Sequence, residues 1–262
     1  MSDLYDRAFV INLDRSLRFK KVKTKLDESK IEFERFSAID GNNIYATNSQ
    51  SNLTLSGEFL KNHTMRVGKT KHQINCNNDS DNPIRFELYN PQTSGWVPGE
   101  IGLWCSNIAI WRAAKKEGFK HIVIFEDDIN IKKPATLNHL INSFIGELPD
   151  DYDIAFLSVL GNTKHHMKVP GTKCVMQVQN RTWQYEYGSH AVVYSQRAID
   201  KLLSVTLIDN ALDAYFFNHN VGNGAYDDMH FLEVYTSCHK SFLAPLAGTV
   251  SEMGRYNAQE LE

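Results

Sequence analysis

The run Ile122-Val123-Ile124-Phe125, with the acids Glu126-Asp127-Asp128 directly after it, constrains this chain more than any other stretch. Four apolar residues, three of them β-branched, predict a strand buried on both faces, as inside a sheet covered by helices. Ionised groups are costly in a core, so the acids belong where the strand reaches the surface, at a sheet edge facing solvent or a ligand. Carboxylates this close repel one another unless a cation or a partner lies between them, and hard oxygen donors suit Mg2+ or Mn2+. Two readings stand side by side: a metal and phosphate site at the strand's exit, or a solvated acidic turn.

The elements around this strand predict an α/β sheet. Ala8 to Leu13 forms a first short apolar strand, Asp14-Arg15-Ser16 a helix start, and Leu17, Val22 and Leu26 line one face of a basic helix running to about Lys30. Ile31 to Ile39 alternates and ends at the turn signal Asp40-Gly41, which completes the opening of a βαβ unit. Leu103, Ile108, Ile110, Trp111 and Ala114 fall at helical spacing and stop at Gly118, so a helix feeds the central strand. Beyond the acids we expect a helix over Pro134 to Leu148, a strand over Tyr152 to Leu160, loop from Gly161 to Pro170, and a strand over Cys174 to Val178. A turn and strand over Tyr187 to Ser195, a helix from Arg197 to Leu203 and a last strand from His230 to Tyr235 complete the pattern. Between Asn42 and Gly95 the composition turns to Asn, Ser, Thr, Asp and Gly. So long a structureless loop is unusual, and we read it as an insert with short helices or a mobile lid.

Composition excludes several classes. With 28 basic and 31 acidic residues and a pI near 6.4, the chain has no electrostatic footprint for nucleic acid. Cys76, Cys105, Cys174 and Cys238 make no CxxC pair, so neither zinc nor a disulfide framework is expected, and reduced, packing cysteines in a cytoplasmic protein are the default. The acidic N-terminus and the lack of a long apolar run predict a soluble protein inside the cell, at most peripheral on the inner face of a membrane.

Several blocks, in order, resemble glycosyltransferase family 25, which includes bacterial lipooligosaccharide galactosyltransferases and collagen hydroxylysine galactosyltransferases. They are Val10-Ile11-Asn12-Leu13-Asp14-Arg15 with Arg18, Glu34 to Gly41, and Gly99-Glu100-Ile101-Gly102-Leu103-Trp104-Cys105-Ser106-Asn107 with Trp111. Phe125-Glu126-Asp127-Asp128, Asp153 to Leu157, Gly188-Ser189-His190-Ala191, Leu212-Asp213 and Val234-Tyr235 follow. The family usually has Ser-His where this chain has Ser106-Asn107.

The resemblance implies a single GT-A-like α/β domain over residues 1–262, with a mixed, mostly parallel sheet, helices on both faces and an insert at about 42–95. It implies an inverting transferase moving a hexose, galactose before glucose, from a UDP-sugar to a hydroxyl of a glycan or glycoprotein, assisted by Mn2+ or Mg2+. Glu126-x-Asp128 resembles the acid-any-acid metal motif of such enzymes, with Asp128 as metal ligand and Glu126 or Asp127 toward the ribose or the metal's water shell; a cap or salt bridge is the plain alternative for Asp127. Donor contacts would come from Asn12 and Leu13, Arg15 and Arg18, Ala38 and Asp40, and Ser189 and His190. The base that takes the acceptor's proton would be Asp213, with Glu100 and Asp209 as alternatives. His190, His230 and His239 are candidate second metal ligands, Trp183 a candidate sugar platform, and Trp104 and Trp111 fit the core better. A non-catalytic nucleotide-sugar or glycan-binding protein on the same fold, or a metal-dependent phosphohydrolase, would use similar residues.

Overall fold

The computed structural model describes residues 3–41, 98–161, 166–178, 186–205, 207–208, 212, 216 and 232–238. It adds the backbone alone of short strands at 52–55, 64–67, 70–73, 84–87 and 243–245. Eight strands form the main sheet: β1 (Arg7–Asn12), β2 (Phe33–Ser37), β3 (His121–Glu126), β4 (Ile154–Phe156), β5 (His166–Lys168), β6 (Val175–Val178), β7 (Ala191–Ser195) and β8 (Val234–Ser237). Their order across the sheet is β5-β6-β8-β4-β7-β3-β1-β2. Helices α1 (Phe19–Glu28), α2 (Pro98–Glu117), α3 (Pro134–Ile145) and α4 (Gln196–Ser204) cover its two faces.

Side chains alternate across the central strands, which is why they read as continuous apolar runs. Phe9 and Ile11 of β1 with Ile122 and Ile124 of β3 enter one core, shared with Trp104, Ile108 and Trp111 of α2 and Ala198, Ile199 and Leu202 of α4. Ala8, Val10, Val123 and Phe125 enter the other, with Val22 and Leu26 of α1 and Leu137, Ile141 and Phe144 of α3. The result is a three-layer α/β arrangement. Trp104 and Trp111 lie edge to face, 6.1 Å between ring centres, as core residues.

The sheet is mixed. β1 pairs in parallel with β2 and β3, and β4 with β8, while the other four pairings are antiparallel. By direction, β1, β2, β3, β4, β5 and β8 run one way and β6 and β7 the other. The chain enters β7 beside the exit of β3, where Glu126 N donates to His190 O at 2.9 Å, and so must run back along β3. Gly161 to Pro170, expected as loop, contains β5, an edge strand whose Met167 and Lys168 are exposed and carry no apolar alternation to announce it. The described parts of the 42–95 stretch are strands rather than short helices. Asn52–Leu55 pairs with Ile84–Glu87, which also pairs with Leu207–Ile208, and Thr64–Val67 forms a hairpin with Thr70–Gln73.

The expectation of reduced cysteines is corrected. Cys174, at the start of β6, and Cys238, at the end of β8, face each other across the ladder with Cα atoms 5.1 Å apart and are joined by a disulfide. Two cysteines 64 residues apart give no local motif, and only strand pairing brings them together. Cys105 is buried in the core shared with α2.

Candidate functional site

The parallel strands β1, β2 and β3 end at one edge of the sheet, and the antiparallel β7 begins there. That edge therefore gathers Asn12 to Arg18, Ala38 to Gly41, Glu126 to Asp128 and Gly188 to His190. Of the expected site residues, Asn12, Leu13, Arg15, Arg18, Ala38, Asp40, Glu126, Asp127, Asp128, Ser189 and His190 all stand on these four segments. Asp213, Asp209, His230, His239 and Trp183 lie outside the described residues, although Leu212 and Phe216, on either side of Asp213 in sequence, pack in the α2-side core.

Polar contacts bind the segments to one another. Asn12 Nδ2 donates to Asp127 Oδ2 at 2.6 Å, Ser16 Oγ donates to the same oxygen at 2.8 Å, and Arg18 Nε lies 3.2 Å from Asp127 Oδ1. Arg35 Nε and Nη2 donate to Asn12 Oδ1 at 2.9 and 2.7 Å, and Nη2 also donates to Asp14 Oδ1 at 2.6 Å. That guanidinium, followed by Ser37, holds the Asp14 carboxyl below its ordinary range. Arg15 pairs with Asp40, and Ala38 N donates to Asn12 O at 2.9 Å. On the other side of the acids, Ser189 Oγ donates to Glu126 Oε1 at 2.6 Å.

Asp14, Arg15 and Ser16 therefore do not start the helix as expected. α1 begins at Phe19, without a side-chain cap, because the polar groups suited to capping are committed to Arg35, Asp40 and Asp127. Arg35, missed by sequence reasoning, is the third partner of this lattice. A charged residue in mid-strand, in register with the apolar Val10, was the available signal.

His190 is buried, and burial pushes its imidazole down to about 4, so it is neutral at physiological pH; its Nε2 is buried without a hydrogen-bond partner among the described residues. Glu100 is buried in the first turn of α2. Ser106 Oγ donates to Gly102 O at 2.7 Å and accepts from Ile39 N at 2.9 Å, tying the end of the β2 segment to α2. The approach is close enough that a Cβ on Gly102 would overlap Ile39 O and lie 2.8 Å from Gly41 N. Asn107 is buried and donates back to Leu103 O at 2.9 Å, so the residue that departs from the family pattern lies within the helix packing.

Among the described residues no three His, Cys, Asp or Glu side chains form a ready metal cage. Glu126 and Asp128 still supply hard oxygen donors at the sheet edge. A divalent ion that keeps water and takes its remaining oxygens from phosphate needs no more than one or two carboxylates.

Arginines and carboxylates thus gather at the strand ends of a three-layer α/β fold, the edge at which open α/β sheets generally take their ligands. Residues 5–204 match glycosyltransferase family 25 (LPS biosynthesis protein), and the chain belongs to that family. No curated protein matches the chain. Among solved structures, mannose-1-phosphate geranyltransferase from Thermus thermophilus is similar over 51% of this chain and 49% of its own, at 10% identity and a TM-score of 0.29. Among the described residues no helix is long and apolar enough to cross a membrane.

Proposed function

We propose that this family 25 member is an inverting hexosyltransferase that moves galactose, or else glucose, from a UDP-sugar to a glycan or glycoprotein hydroxyl with Mn2+ or Mg2+ in attendance. The observation that carries this is the convergence of Asn12 to Arg18, Ala38 to Asp40, Glu126 to Asp128 and Ser189 to His190 on one sheet edge. There a nucleotide diphosphate would find backbone groups, a guanidinium and carboxylates together. In this reading Asp128 holds the metal with Glu126 beside it. The ion would neutralise the charge that grows on the departing diphosphate. Asn12, Leu13, Ala38 and Asp40 face the base and ribose, and Arg15 and Arg18 lie near the phosphates. Asp213 takes the acceptor's proton, and Glu100 is the alternative.

A GT-A-type domain over the whole chain, with the 42–95 stretch as insert or lid, belongs to the same proposal. So does a contact with the inner face of a membrane. The Cys174–Cys238 bridge bears against a reducing compartment, where disulfides are rare, so the redox state of that pair in the cell is the observation to make for location.

The test is to follow UDP release from a panel of nucleotide sugars with and without Mn2+. Turnover with UDP-galactose, dependent on the metal and abolished in a folded Asp128→Asn variant, is the expected result. Near-normal turnover in that variant would sink the metal assignment. Thermal stabilisation by a UDP-sugar without turnover would point to a binding protein on the same fold.

A further inference from the structure

We propose that Asp127, the middle acid of the Glu126-Asp127-Asp128 run, is a positioning residue. It clamps the 13–18 loop to the acidic turn and does not itself take up donor or metal. This rests on the reading of the edge as the donor site.

The geometry carries the argument. Asp127 is buried, at 7% exposure, and both of its oxygens face protein donors: Oδ2 receives Asn12 Nδ2 and Ser16 Oγ, and Oδ1 faces Arg18 Nε. A cation bound at Oδ1 would have to share it with a guanidinium 3.2 Å away, which like charge disfavours. Asn12 is fixed at its other end as well, because its Oδ1 receives Arg35, so its amide can turn only one way: donor toward Asp127, acceptor toward Arg35. Arg35 in turn holds Asp14.

Ser16 and Arg18 are thereby fastened inward through Asp127. The other side chains stay outward: Asp14, bonded to Arg35, is 72% exposed, Arg15, paired with Asp40, is half-exposed, and Leu17 is 92% exposed. Asp127 thus sets which side chains the loop presents at the edge, while the metal falls to its neighbour Asp128. The loop's own bonds, Ser16 N to Leu13 O at 2.9 Å and Arg18 N to Ser16 Oγ at 3.4 Å, are short-range and depend on that clamp to stay in register.

Two measurements test this, on Asp127→Ala and on Asp127→Asn. The Asn variant keeps an acceptor for Asn12 and Ser16 but sets an amide donor against Arg18, and it serves if the Ala variant folds poorly. In ligand-free protein, amide exchange across residues 13–18 should quicken at least fivefold in Asp127→Ala and less in Asp127→Asn, with exchange in the core of β3 unchanged. Wild-type exchange rates in the loop overturn the clamp whatever the protein binds. By calorimetry with UDP and Mn2+, Asp127→Ala should weaken UDP binding at least tenfold, and adding Ser16→Ala should change it by less than twofold further. The Mn2+ concentration giving half-maximal UDP binding should stay within twofold of wild type. A Mn2+ shift as large as that of Asp128→Asn makes Asp127 a ligand and overturns the proposal. If wild type binds no UDP at all, the donor-site reading fails, and accelerated loop exchange in Asp127→Ala still supports the clamp.

Discussion

Removing the Cys174–Cys238 bridge should lower stability by an amount its topology sets. The bridge spans 64 residues. Closing a loop of that length removes about 15 cal/mol/K from the unfolded ensemble, or about 4 kcal/mol at 25 °C. For a chain of this size each kcal/mol moves the melting temperature by about 2–4 °C, so the loss should be about 8–16 °C. Cys238→Ser is the variant of choice, because Cys238 is exposed whereas Cys174 is buried against Ser237, so the change opens no cavity. Thermal unfolding followed by circular dichroism would compare oxidised wild type, wild type with reductant and Cys238→Ser, with non-reducing peptide mapping to detect the linked peptides. A melting temperature within 2 °C of oxidised wild type for the variant would refute the entropic argument, and an absent linked peptide would refute the bridge.

Asp153 is buried, receives Arg197 Nε and Lys201 Nζ at 2.7 Å each and accepts from Glu233 N at 2.7 Å, so it joins α4 to the entry of β8. Asp153→Ala should cost about 3 kcal/mol in urea unfolding, less than for a fully buried pair because Arg197 can return to water; a cost under about 1 kcal/mol would contradict this role. Gly102→Ala should cost about 1–3 kcal/mol, because the overlapping atoms are backbone, and wild-type stability would mean that the 39–41 segment yields freely. His190 makes stability depend on pH in a stated direction. Above about pH 6.5 it is neutral folded or unfolded. Between 6.5 and about 4 the unfolded imidazole binds a proton that the buried one refuses, so stability falls by up to about 1.4 kcal/mol per pH unit. A His190→Gln variant should show a shallower fall over that window, and an identical pH profile would mean the residue is not held neutral.

How much could be read in advance depended on whether a residue's role is local. Ile122 to Phe125 announce a strand buried on both sides because burial on both faces leaves a continuous apolar run, and Gly118 ends α2 with a positive φ of 72° as a helix stop should. The edge was legible too, since acids must leave the core where a strand ends. What could not be read was partnership across the sheet. Asp14 and Ser16 have the composition of a helix cap, yet Arg35 and Asp127, 21 and 111 residues away, claim them. The disulfide and the direction of β7 are likewise products of pairing between distant segments. β5 left no sign at all, because an exposed edge strand needs no alternation to form.

The place of β8 has a consequence for how the molecule is made. It lies inside the sheet between β6 and β4, although it is the last of the eight strands to be synthesised. Until residue 237 has left the ribosome, β4 has an open flank and the β5–β6 hairpin has no place to join, so the nascent sheet waits with two unpaired edges around an empty slot. Cys238 follows β8 by one residue, so the same arrival that fills the slot brings the second thiol to Cys174. Once β8 fills the slot, the sheet itself holds the two thiols within bonding distance, so completion of the sheet and closure of the bridge favour each other.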